Sequence, residues 1–145
     1  MEPWNVYEFL DDHRRSTIRA WLEKKKVQKD QVALFRAKID GLRRGGPDLN
    51  PGLIEGPIKK KKLKITGIYK MKIKGNKGFV QLRPMLCHGP FNDDKNTITL
   101  LLGAIEKDGV LKPEDYLERS DHNRRVLLND RTRRRILRIP RDIEA

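Results

Sequence analysis

The chain has 145 residues and a mass of 17.0 kDa, which suits a single domain. Hydrophobic and charged residues each make up 37%, enough for one modest core, and the net charge of +13 points to a polyanionic partner such as nucleic acid. The single cysteine, Cys87, excludes an internal disulfide and a four-cysteine zinc site, and the three histidines are too scattered to share a metal.

Met1-Glu2-Pro3-Trp4-Asn5 contains no basic segment leading into an apolar one, so no secretory leader is expected. The longest apolar stretch, Ile98 to Ile105, is too short for a bilayer. These features predict a basic protein of the cytoplasm with no membrane partner. Trp4 to Leu10, rich in aromatic and β-branched residues, reads as a first strand. Asp11, Asp12 and Ser16 are possible caps for a helix over Thr17 to Lys26, burying Ile18, Trp21 and Leu22. A second helix is expected from Asp30 to Arg44. There Val32, Phe35, Ile39 and Leu42 form one stripe, and Gly45-Gly46-Pro47 stops it.

After the loop from Asp48 to Pro57 the period changes from helical to alternating. Between Lys64 and Lys74, residues Ile65, Gly67, Tyr69, Met71 and Ile73 fall on one face. Lys70, Lys72 and Lys74 fall on the other, which predicts a half-buried strand. Gly75-Asn76-Lys77-Gly78 signals a hairpin turn into a second strand, Phe79 to Leu86, where Pro84 suggests an edge or an irregularity. Thr97 to Ala104 is apolar on both sides and reads as a central strand. Pro113 opens a last helix carrying Tyr116, Leu117, Ser120, Arg124, Leu127 and Leu128. The expected fold is α+β: two N-terminal helices on one face of a small antiparallel sheet, then a C-terminal helix, with the other face open. The expected domain is 1–130, followed by a basic tail at 131–145.

The charge is concentrated. Residues 1–55 hold 11 basic and 9 acidic side chains, and residues 93–145 hold 12 and 11. The window 56–92 holds ten basic residues and no acid, so +10 of the +13 lies there. A solvated surface usually intersperses both signs, so the window favours a phosphate backbone as partner. Side chains two apart on a strand sit about 7 Å from one another, near the spacing of successive phosphates in a single strand. Such a row can also serve chemistry. Clustered cations depress an ammonium pKa, and together they can transfer protons and neutralise a phosphate attacked by its own 2′-hydroxyl. His88, in a Cys-His-Gly-Pro loop, is an exposed histidine or a base; His122 reads as surface, and Trp4 and Trp21 read as core.

The string Tyr69-Lys70-Met71-Lys72-Ile73-Lys74, a turn ending in Gly78 and then Phe79, resembles the central hairpin of the RelE/ParE toxin superfamily. That hairpin reads aromatic-Lys-apolar-Lys-apolar-basic, turn, Gly-Tyr-Arg. The strand end Leu101-Leu102-Gly103-Ala104-Ile105-Glu106-Lys107 looks most like the HigB-like and phage-derived branch. The resemblance spans roughly residues 4 to 128 and rests on order and spacing. It implies a RelE-like fold and a toxin of a type II toxin–antitoxin system: an mRNA endoribonuclease needing no metal or cofactor. Its implied partners are mRNA on the ribosome and a cognate antitoxin, expected to be of helix-turn-helix type. By position it implies Lys70, Lys72 and Lys107 as catalytic; Arg83, three positions beyond the place of the missing family arginine, is expected to assist, and Lys64, Lys74, Lys77 and Arg124 are expected to contact RNA. Tyr116 is a looser match to a late tyrosine of some members. Where the family has Gly-Tyr-Arg this chain has Gly78-Phe79-Val80, and Glu106 would repel a phosphate. An alternative therefore stays open, a non-catalytic nucleic-acid-binding or gyrase-directed ParE-like protein.

Overall fold

The computed structural model describes residues 3–24, 27–75 and 80–139. The chain begins with β1 (Asn5–Phe9) and turns into a short helix, α1 (Thr17–Leu22). The Ser16 hydroxyl caps α1 by accepting the Arg19 N–H at 2.9 Å. A longer helix, α2 (Lys29–Leu49), follows. Its cap lies two residues before the expected Asp30, at Gln28, whose N–H bonds the Gln31 side chain at 3.1 Å. The helix breaks at Gly46, with φ 69° and ψ −176°, where the glycine-proline signal stood, and Pro47 begins a further turn. Only glycine fits this break, because a Cβ there would lie 2.2 Å from the Trp4 indole nitrogen.

The remaining strands are β2 (Tyr69–Lys70), β3 (Gln81–His88), β4 (Thr97–Lys107) and β5 (Val110–Lys112); α3 (Tyr116–Asn129) and β6 (Arg134–Ile136) close the described chain. The sheet order is β2-β3-β4-β1-β6, with β5 pairing β4 beyond the end of β1. β1 runs parallel to β4 from Asn5 opposite Thr97 to Glu8 opposite Leu100, and the other pairings are antiparallel. β4 is the central strand, as its two apolar faces require.

Two cores lie on opposite faces of this sheet. One packs α1 and α2 through Ile18, Trp21, Phe35, Ile39 and Leu42 against Met71, Ile73, Leu82 and Leu100. The other packs α3 through Leu117 and Leu127 against Met85, Cys87, Leu101 and Ala104. Gly103 admits the first packing, since a Cβ there would lie 2.3 Å from Trp21.

These findings overturn the expected RelE-like arrangement of helices on one face of a small antiparallel sheet. Among the described residues the sheet has six strands, most of them after the helix pair, and one pairing is parallel. The face expected to be open is covered by α3 and by Ile58, Leu63 and Ile65. The reason lies in β3 and β4, which carry apolar side chains alternately on both sides, so neither face can be left in water. Three local expectations change as well. The strand expected over Lys64–Lys74 is regular only at Tyr69–Lys70, with one further bridge at Ile73. Pro84 sits in a strand flanked on both sides, not at an edge, and the irregularity follows it as a register shift between Met85 and Leu86. Residues 134–136, expected in a tail, pair with β1, and Leu137 is buried beside them. The expected hairpin turn at 76–78 lies outside the described residues. Among the described residues no helix is long and apolar enough to cross a membrane.

Candidate nucleic-acid interface

Burial of Met71 and Ile73 in the α1/α2 core fixes the direction of their neighbours. Lys70, Lys72 and Lys74 alternate with them and point to the opposite face, Lys72 and Lys74 exposed and Lys70 half-buried. The backbone of Lys70 is clamped on both sides. It pairs with Met85 of β3, and it exchanges two hydrogen bonds with Glu55, at 2.8 and 2.9 Å. Met71 N–H bonds the Pro84 carbonyl and Ile73 pairs with Leu82, so Lys72 lies beside Arg83 across the strands.

The row is less purely cationic than its sequence window. Glu55, one residue outside that window, folds back so that its Oε2 lies 3.2 Å from Lys72 Nζ. Arg83 is buried and donates to Glu106 at 2.8 Å and to the Leu82 carbonyl at 3.1 Å. Its Nε has no partner among the described residues. Of these two acids, the sequence places Glu106 beside a bound phosphate but gives no sign of Glu55. Glu55 carries no periodic signal, and Glu106 gives no sign in sequence that its charge is met by Arg83 two strand positions away.

The other expected residues disperse. Lys107, one position after Glu106, alternates to the other face and stands exposed at the end of β4 opposite Val110. Lys64 is exposed ahead of β2, away from the regular pairing. Arg124, on α3, bonds Asp121 at 2.8 Å and packs against Gly67. Lys77 lies outside the described residues. Tyr116 is buried, with the Lys60 ammonium 4.2 Å from its ring centre, and burial raises its phenol pKa. The structure thus brings Lys70, Lys72, Lys74 and Arg83 to one face and leaves Lys107 off it.

His88 ends β3 with its ring edge-to-face against Tyr69 at 5.0 Å and near Trp4 at 6.1 Å. Lost solvent lowers its pKa, against the pull of Asp48, which raises it. His122 is exposed on α3. Trp21 is core; Trp4 is half-buried at the edge of the same core. Among the described residues no group of three or more His, Cys, Asp or Glu could hold a metal ion.

Comparison with protein-family models, with curated proteins and with solved structures finds no match to this chain.

Proposed function

We propose that this protein is an RNA-directed toxin of the toxin–antitoxin kind, an endoribonuclease that grips the sugar–phosphate backbone with Lys70, Lys72 and Lys74. The observation that carries the reading is the fixed row itself. Three ammonium groups share one face because Met71 and Ile73 are locked in the core, and the adjoining backbone is clamped between Glu55 and β3. Ammonium groups so held can neutralise a phosphate attacked by the neighbouring 2′-hydroxyl. The products would be a 2′,3′-cyclic phosphate, or its opened form, and a 5′-hydroxyl. Glu55 orients Lys72 through their 3.2 Å contact. The reading places the protein in the cytoplasm, acting on mRNA at the ribosome and held in check by a cognate antitoxin of helix-turn-helix type.

A second reading, binding without cleavage, is favoured by one observation: Arg83 is spent on Glu106 and is buried, so it adds no free charge to the row. Induced expression with mapping of mRNA ends separates the two. The toxin reading expects growth arrest and new 5′-hydroxyl ends that persist with a chelator in vitro. It also expects both to vanish in Lys70→Ala/Lys72→Ala while the fold stays intact. Arrest that survives the double substitution with mRNA uncut leaves the non-catalytic reading.

A further inference from the structure

Strand β6 sorts the C-terminal arginines by parity. Arg134 turns one way, where its guanidinium bonds both carboxylate oxygens of Asp94 at 2.8 Å and lies 4.0 Å from the Tyr7 ring centre. Arg133 is bonded to Asp12 at 2.8 Å and to the Leu10 carbonyl at 3.0 Å. Arg131 is bonded to Asp93 at 2.8 Å and covers Phe91. Those three are consumed in holding the chain end to the sheet.

Arg135 and Arg138 are placed differently. Arg135 alternates to the other face, where its nearest acid is the buried Glu8, at 3.7 Å. Arg138, just past the strand, is exposed, and its guanidinium has no hydrogen bond or ion pair among the described residues. Arg19, from the last turn of α1, comes up beside them and is itself tied to Glu23 at 3.1 Å. With Ile136, these three arginines line a cleft of about 360 Å³ whose lining, among the described residues, holds no acid. Glu23 and Glu8 each balance one of the three, whereas Arg138 meets Glu8 only through its backbone N–H, at 3.4 Å, and its guanidinium keeps an unbalanced charge at the mouth of the cleft. The planar, forked guanidinium matches a phosphate oxygen pair better than any other side chain does.

We propose that this cleft binds a phosphate group. It is separate from the lysine row, at the other end of the sheet order and on the α1/α2 side. Four strand spacings from β2 to β6 put the two edges about 19 Å apart. The phosphate is either a linkage of an RNA strand or a free phosphate, and the chemistry of recognition is the same for both.

Titration of the full chain with inorganic phosphate at low ionic strength, followed through the arginine Nε–H resonances, tests the assignment. The Arg19, Arg135 and Arg138 signals are expected to shift together. Arg138→Gln, which leaves Arg135 over Glu8, is expected to weaken binding about tenfold, the worth of one charge-assisted hydrogen bond. Arg19→Gln, on a separate element, should do the same. Replacement of Lys70, Lys72 and Lys74 by Gln should leave the phosphate-dependent shifts of the Arg19, Arg135 and Arg138 signals in place. A single-stranded RNA decamer identifies the source. If it moves the same three signals, the ligand is a backbone linkage; if phosphate moves them and RNA does not, the ligand is free phosphate. The latter result, with no RNA bound anywhere, would remove the toxin reading and still uphold the cleft. Absence of those shifts in the unaltered chain, or phosphate affinity that both Arg138→Gln and Arg19→Gln leave unchanged, overturns the proposal.

Discussion

Arg83 is one of ten cations in a window without acid, yet its charge is spent inside the protein. Its guanidinium faces Glu106 with 7% of the arginine side chain and 26% of the glutamate side chain exposed. Breaking one partner of such a pair strands the other, and Arg83→Gln is expected to cost about 3 kcal/mol in urea unfolding. The cost sits at the low end of the range because Glu106 keeps contact with water. Arg83→Met/Glu106→Leu should recover most of the loss; a double variant as unstable as Arg83→Gln would mean that the pair is not what Arg83 contributes. Cys87 shows a different consequence of burial. Desolvation pushes its thiol pKa up to about 12 from 9.0, so alkylating reagents at pH 8 should label it only on unfolding. The native state keeps a proton that the unfolded chain releases above pH 9.0, so the contribution is full below that pH and fades as pH rises toward about 12. Thermal melts of Cys87→Ala should therefore show a shallower alkaline decline than those of the unaltered chain.

At the scale of elements, the lysine row depends on a strand that is barely a strand. β2 spans two residues, and the exposed ammonium groups beyond it are aimed by Met71 and Ile73, not by a continuous ladder. Replacing Lys70, Lys72 and Lys74 by Gln touches no core residue, and the three substitutions should shift stability only slightly. The effect should appear in RNA binding. Each single-strand phosphate released lowers the log-log salt slope by about 0.7, so loss of three contacts should flatten it by about 2. An unchanged slope would place the backbone contacts elsewhere on the surface. Glu55 limits the effect, since Lys72 is already partly neutralised before any RNA arrives.

For the whole molecule, the C-terminal segment closes the sheet. β6 covers the outer edge of β1, Leu137 enters the α1/α2 core, and Arg43 and Arg36 on α2 donate to the carbonyls of Leu137 and Ile139. A chain ending at Asp130 loses the burial of Leu137, worth about 2 kcal/mol, and bares the β1 edge. Its urea midpoint should fall and its tendency to associate should rise. A truncated chain with an unchanged midpoint would show that residues 131–139 are an accessory tail.

Whatever depends on neighbours along the chain was legible in the residues. The stripe of Val32, Phe35, Ile39 and Leu42, the stop at Gly46, the alternation that buries Met71 and Ile73, and the two apolar sides of β4 are all local periodicities. Whatever depends on distant partners was not. Parallel pairing of β1 with β4, the return of β6 to β1, the cover of α3 on the second face, and the contacts of Glu55 with Lys72 and Glu106 with Arg83 join residues far apart in sequence. The candidate site divides along the same line. Strand parity identified which lysines share a face, because alternation is a property of adjacent residues. It could not show that an acid from another loop would meet one of them, or that Lys107 would end on the opposite side, because strand order and register are set by which faces the whole chain can bury.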